Sequence, residues 1–305
     1  MSPIKVMSLK EELEEMQNNV ALYKASDERH LHMEGPDATD YLQRMVTNEV
    51  KTQPIGEGRH NALLDRKGHP LSLFFLIRLS ENLYHLITPP QLKEKTAGLL
   101  KKYKVIERFE IKDVSQEWGV YWVVGSPVPP ALLPAIWQET IYKIPVRKIL
   151  YPKNNPPPLG DLPSVSRQAI DLLRMEAGIP EYGVDIDETH ILLEANLEHC
   201  YKRQKGCYPG QEVIERILAY GKGQTPKKLV TLLVEGEREI PPKTAIWTAD
   251  NQKAGETTSA LFNPLRNQTV VLAYLENKFV NSGLTLVQRE GQYLLTPLPT
   301  PALDP

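Results

Sequence analysis

An α+β body followed by a small all-β domain is the architecture the sequence predicts, on three observations. Helical and strand-like periodicities alternate along the body of the chain. After Gly221-Lys222-Gly223 the texture changes to short strands separated by turns, the pattern of a barrel or sandwich. The third observation is the balance of 41% hydrophobic and 24% charged residues in 305, which suits a folded chain with a sizeable core.

The elements follow in order. Ser8, with Glu11 three residues on, forms a capping box, and Leu9, Leu13 and Met16 recur behind it at helical spacing. Residues 29–34 alternate polar and apolar as a strand, with His30 and His32 expected on its solvent side, opposite Leu31 and Met33. Gly35-Pro36-Asp37 ends that strand and places proline in the first turn of a helix lined by Ala38, Tyr41, Leu42 and Met45. Residues 61–64, 70–79 and 84–88 are hairpin strands joined through Asp65-Arg66-Lys67-Gly68 and Ser80-Glu81-Asn82. A helix at 91–103 is followed by strands at 105–114 and 118–124. Proline runs at 127–130 and 156–158 flank a short helix and a strand at 141–150. Residues 166–177 form a helix stopped by Gly178 and Pro180. The terminal strands are expected at 229–234, 245–248, 259–262, 270–274 and 284–287.

Charge and cysteine usage narrow the function. A net charge of -2 provides no global field for nucleic acid or an anionic membrane, so no direct nucleic-acid binding is expected. The longest apolar stretch, 71–79, is far shorter than the ~20 residues of a bilayer span. With no apolar leader behind the first residues and only Cys200 and Cys207, the expected setting is a reducing, cytoplasmic one. Neither cysteine sits in a CxxC or Cys/His zinc spacing, and no metal site is expected.

Two places carry candidate chemistry. In Lys205-Gly206-Cys207-Tyr208-Pro209-Gly210-Gln211-Glu212 the Pro-Gly pair fits the centre of a type II turn, and a helix with Val213, Ile214, Ile217 and Leu218 starts behind it. Cys207 would then lie near a helix N-terminus and near Arg203 and Lys205, conditions that favour a thiolate. The competing reading is a packed small residue beside a tight turn. Glu176 falls in the last turn of its helix, where the dipole disfavours a carboxylate; Arg174 or a ligand donor would compensate it, and the competing reading is a solvated side chain. A phosphate loop, a Ser/His/Asp arrangement and an HExxH motif find no support.

The strings KGCYPGQEVIERI, RMEAGIPEYG and HLHMEGPDATDYLQRMVTNEV resemble the YgfZ/GcvT family of folate-binding proteins, related to the aminomethyltransferase (T-protein) of the glycine cleavage system. The KGCYxGQE motif is that of the YgfZ branch, and the resemblance runs from about residue 29 to 216. It implies a T-protein-like folate-binding fold over residues 1–225, with two interleaved subdomains, and a C-terminal barrel-like domain over 226–305. It also implies a monomer that binds tetrahydrofolate or a one-carbon derivative and works with iron–sulfur assembly machinery or client proteins, in cluster assembly or repair and in tRNA modification. The alternative it leaves open is a one-carbon transferase or demethylase.

The same resemblance assigns residues. A pterin offers an N–H and an amino group side by side to a single carboxylate, the role it gives Glu176, with Tyr182 lining the pocket. Lys205 and Arg216 become partners of the folate tail, Tyr208 and Gln211 complete the cofactor set, and Cys207 is the functional thiol. T-proteins carry an Asp pair after a Lys-Gly turn, whereas Lys67-Gly68 here leads to Ser72 and Leu73 at those positions. That departure counts against glycine-cleavage aminomethyl transfer.

Overall fold

The computed structural model describes residues 7–127, 137–141, 144–221, 223–280, 286–288 and 293–298. Helix α1 (Leu9–Asn18) opens on the expected capping box, with the Ser8 hydroxyl and the Glu11 carboxylate satisfying each other's backbone. Strands β1 (Val20–Lys24) and β2 (Arg29–Glu34) precede helix α2 (Ala38–Met45). Strands β3 (Gly58–Leu64), β4 (Pro70–Arg78) and β5 (Leu83–Thr88) then lead to α3 (Lys93–Lys102). After β6 (Glu110–Asp113), β7 (Trp118–Gly125), β8 (Trp137–Ile141) and β9 (Ile144–Pro152) come α4 (Arg167–Glu176) and α5 (Gln211–Ala219).

These strands make two sheets whose chain segments interleave. One has the order β3-β4-β5-β2-β6 and the other β1-β7-β9-β8, so that β2 to β6 form an excursion between β1 and β7. Antiparallel pairing of β1 with β7, Val20 opposite Gly125, closes that excursion. The terminal unit is β10 (Lys227–Glu235), β11 (Ala245–Thr248), β12 (Lys253–Asn263), β13 (Gln268–Glu276), α6 (Asn277–Val280), β14 (Leu286–Gln288) and β15 (Tyr293–Leu298). Its six strands close into a barrel in the order β10-β13-β12-β11-β14-β15, with β15 returning to β10 at Thr231 opposite Leu298. Among the described residues no helix is long and apolar enough to cross a membrane.

Several expectations need correction. Pro36 lies ahead of α2, whose N-cap is Asp37. The strand expected over 105–114 contracts to β6, and Val105 and Ile106 are 85% and 86% exposed in the loop before it. β12 is longer than the four residues expected, and β15 was not anticipated. The short helix expected after the first proline run lies mostly outside the described residues.

The largest correction concerns the histidines of β2. His30 is buried and His32 half-buried, because both faces of β2 are covered. Leu31 and Met33 enter the core beneath α2, while the other face lies under Trp118, whose ring centroid is 5.7 Å from that of His32. His30 Nδ1 sits 2.9 Å from His85 Nε2, and His85 Nδ1 sits 2.9 Å from His32 Nε2. A neutral imidazole donates from one nitrogen and accepts at the other, so a row of three neutral rings satisfies both nitrogens of the central one. Burial lowers the pKa of all three, His30 to about 4 and His85 well below its ordinary range.

This row predicts an acid-sensitive fold. From the ordinary histidine value of 6.5 down to about 4, the unfolded chain binds protons that the native chain refuses. The stability held by the row is therefore complete above pH 6.5 and lost as pH falls toward 4. Thermal unfolding between pH 7.5 and 4.5 will show Tm dropping through this window, and His85→Leu will flatten the dependence. Parallel profiles for the two proteins would remove the row from the acid response.

Candidate functional site

A short stretch at the end of α2 builds the frame of the site. The Thr47 hydroxyl donates to the Cys200 carbonyl at 2.5 Å and accepts from the Ala62 N–H at 2.8 Å. Asn48 Nδ2 donates to the carbonyls of both His60 (3.1 Å) and His199 (3.0 Å), while the Asn48 N–H donates to Asn61 Oδ1. Two adjacent polar side chains thereby tie the irregular segment at 198–202 to β3. Buried backbone groups must find partners, and a segment with only one short 3-10 turn, Glu198–Cys200, finds them here.

Lys205 extends the frame. It is buried, and its Nζ donates at 2.6 Å to the Gln43 carbonyl, one of the four that α2 cannot satisfy at its own C-terminus. Gln43 answers, donating Nε2 to the Lys205 carbonyl at 2.6 Å while its Oε1 accepts from the N–H groups of Val50 and Lys51. Burial lowers the Lys205 pKa to about 8, against the opposing field of Glu49. Its ammonium, 5.3 Å from the centre of the Tyr208 ring, points inward and caps a helix. Lys205 is the residue that the resemblance assigns to a folate tail, and its ammonium is engaged at the end of α2.

Beyond Lys205 the chain returns to the surface. Cys207 is exposed and Cys200 is buried. Tyr208 is buried, which raises its pKa, and Gln211 N–H donates to the Tyr208 carbonyl across the Pro209-Gly210 turn. Gly210 has φ +79°, as a type II turn requires at that position. The turn also packs tightly: a Cβ on Gly210 would fall 2.4 Å from the Asp65 carbonyl oxygen and 3.0 Å from Leu64 Cβ. The motif turn is thus docked on the tip of the β3–β4 hairpin, where Val213 of α5 touches Gly68. At that tip burial raises the Asp65 pKa, but the N–H groups of His69 and Lys67 outweigh it and hold the carboxyl below its ordinary range. Arg203 is spent on Glu215 at 2.9 Å, Arg216 is exposed, and Ile214 is the fully buried residue of α5.

The other side of the same hairpin receives Tyr182. Its hydroxyl donates to the Pro70 carbonyl at 3.2 Å and lies 3.4 Å from Lys95 Nζ, and Lys95 pairs with Glu188. Ser72 is buried and bonded to the Thr96 hydroxyl at 2.6 Å, and Leu73 is half-buried. Glu176 is compensated from an unexpected direction: Oε1 accepts from Asn263 Nδ2 at 2.7 Å and from Arg266 Nε at 2.9 Å, both contributed by the barrel. Arg174 turns instead to Asp171 and Asp185. Glu176 thus fastens the body to the barrel through Oε1, at the residue that the resemblance assigns to a pterin.

A cavity of about 320 Å³ opens along the same seam, with Asp185, Asp187 and His190 on one wall and Lys227, Lys253 and Tyr274 on the other. His190 stacks on Tyr274 with ring centroids 4.4 Å apart, and the buried Tyr274 hydroxyl has no partner among the described residues. The sequence reading missed Glu188, Lys95 and Tyr274. Lys95 and Glu188 meet beside Tyr182, and Tyr274 meets His190, through the packing of α3 and the barrel against segment 182–190, which no spacing in the chain encodes.

Residues 5–141 match the GCVT N-terminal domain and residues 227–304 the glycine cleavage T-protein C-terminal barrel domain. An aminomethyltransferase of Halalkalibacterium halodurans is 24% identical, the alignment covering 98% of this chain and 91% of that protein. One from Caldanaerobacter subterraneus is also 24% identical, over 92% and 83% respectively. The crystal structure of glycine cleavage system aminomethyltransferase T from Bartonella henselae, 18% identical, superposes with a TM-score of 0.81 over 97% of this chain and 90% of that one. The fold is T-protein-like, an α+β body with a C-terminal barrel.

Two substitutions test the geometry. Glu176→Ala leaves Asn263 and Arg266 facing an empty acceptor position and will cost about 2 kcal/mol of stability, read as a Tm lower by several degrees. An unchanged Tm would show that the barrel is held without this contact. Gly210→Ala combines a left-handed backbone with a forced contact on Asp65 and will cost on the order of 1–3 kcal/mol. Wild-type stability there would mean that the turn is not docked on the hairpin.

Proposed function

We propose that this chain, which is GcvT-like and carries both the N-terminal and the barrel domain of that family, is a reduced-folate-binding protein of the YgfZ branch. It supports iron–sulfur cluster assembly or repair, and through it tRNA modification, with Cys207 as the functional thiol. One observation carries the reading: Cys207 is exposed on a segment otherwise pinned by Lys205 on one side and the docked Pro209-Gly210 turn on the other. A thiol that served only packing would be turned inward, as Cys200 is.

Tetrahydrofolate, the cofactor of aminomethyltransferase-type relatives, fits the seam cavity by its chemistry. A donor-rich pterin needs a carboxylate and its tail needs cations, and the cavity wall holds both signs together with the unpartnered Tyr274 hydroxyl. Glu176 bonds to the barrel through Oε1, and an accessible carboxylate beside Tyr182 is Glu188, 54% exposed. Glu188 and Tyr182, chain neighbours of the wall residues Asp187 and Gly183, are assigned to the pterin end, and Arg216, on α5 and outside that wall, to the tail. The relatives' name favours one-carbon transfer as a second reading, but Ser72 and Leu73 offer no carboxylate at the expected positions, and the Ser72 hydroxyl is already bonded to Thr96.

Tetrahydrofolate titrated into the full chain will raise Tm, and Glu188→Ala will weaken binding at least tenfold, as loss of a charged acceptor implies. No thermal shift in the wild type would end the folate reading. In a strain lacking the protein, Cys207→Ser will fail to restore iron–sulfur enzyme activity while still binding the folate. Full restoration would return Cys207 to the role of an inert surface residue. Release of ammonia from a lipoyl-bound aminomethyl group above background would favour the transferase reading instead.

A further inference from the structure

We propose that His60, His199 and Cys200 form a binding site for one divalent transition-metal ion of the zinc class. Each offers one ligand atom, and the three atoms lie within 4.8 Å of one another. Two imidazoles and one thiolate make a donor set that suits zinc, and three protein ligands leave a fourth position for water or a substrate atom.

The backbone beneath these ligands is already fixed. Asn48 Nδ2 holds the carbonyls of His60 and His199 together, and Thr47 Oγ1 holds that of Cys200. Every candidate ligand is thus anchored by one of two adjacent side chains, so the site is built by the frame and not by chance proximity on a surface. The His60 and His199 rings meet edge to face, centroids 4.8 Å apart, and the Phe75 ring lies 4.8 Å from that of His60. Cys200 is buried and the two histidines are half-buried, which gives the thiol an apolar floor and leaves the entry path on the histidine side.

Ligands bonded at about 2.0–2.3 Å around a tetrahedral ion stand about 3.3–3.6 Å apart. Closing from the present spacing takes movements of about 1 Å, within reach of histidine side-chain rotation on a fixed backbone. Binding forms one metal–sulfur and two metal–nitrogen bonds, displaces water from the ion, and sends the Cys200 thiol proton to solvent, so affinity rises with pH. The proposal does not depend on folate or on Cys207.

The test uses Co(II) as a spectroscopic probe, titrated into chelator-treated full-length protein under reducing conditions. One equivalent will give tetrahedral d–d absorption and a near-ultraviolet thiolate-to-cobalt band, and Zn(II) will displace both. Cys200→Ser will abolish the charge-transfer band, Cys207→Ser will keep it, and His60→Gln and His199→Gln will each weaken binding at least tenfold with the circular dichroism unchanged. Should Cys200→Ser not fold, the two half-buried histidine positions decide the matter. A band that survives Cys200→Ser, a band that vanishes with Cys207→Ser, histidine variants of wild-type affinity, or no saturable binding would each overturn the assignment.

Discussion

The site depends on one constraint: an irregular segment has to be held against a sheet, and its backbone polar groups must be paired without a strand ladder. Gln43, Thr47 and Asn48 supply that pairing from a single stretch of chain at the end of α2. Because the stretch follows a helix, the carbonyl that α2 leaves unsatisfied becomes part of the device, taken up by Lys205. Remove the frame and Cys207, the Pro209-Gly210 turn and the His60–His199–Cys200 group lose their common reference.

A second set of buried polar contacts joins the body to the barrel. The Asp185 carboxylate accepts from Arg174 Nη1 at 2.7 Å and from the hydroxyls of Thr258 and Ser259 at 2.6 Å each. Glu176 repeats the arrangement with Asn263 and Arg266, and the Thr231 hydroxyl donates to the Met175 carbonyl. These bonds cluster around the C-terminus of α4 and the 181–190 segment, beside the seam cavity. Paired and fully bonded charges fix one relative placement of two units far more sharply than apolar contact, which tolerates sliding. A cavity formed between two units keeps its shape only if their placement is fixed.

Much of this architecture was legible in the sequence, for local reasons. The capping box at Ser8, the hairpin turn at Asp65–Gly68 and the Pro209-Gly210 turn are each written within a few adjacent residues, and each stands where expected. What the sequence leaves out shares a cause. His30 and His32 were placed in solvent because alternation shows that a strand has two faces but not that Trp118 covers the second. Glu176 and Lys205 take their ligand roles from the resemblance, which says nothing of what each side chain bonds to in this fold. Their partners, Arg266 and Gln43, lie far away in the chain and are brought close only by the fold.

Lys205 shows why a motif can look like a ligand site and work as a fastening. An unpaired ammonium in that position would be costly, and burial lowers the pKa to about 8. What makes it tolerable is the C-terminal end of α2, where an orphan carbonyl and the negative end of the helix dipole both favour a cation. An apolar side chain of similar length would fill the space yet leave that carbonyl unmet, and Gln43 would lose half of a reciprocal pair. The lysine is therefore explained by register: it fixes how far the chain has travelled when it reaches Cys207. With Gly206 at φ +106° immediately afterwards, a backbone conformation that suits glycine, the inward anchor leads directly to the outward thiol.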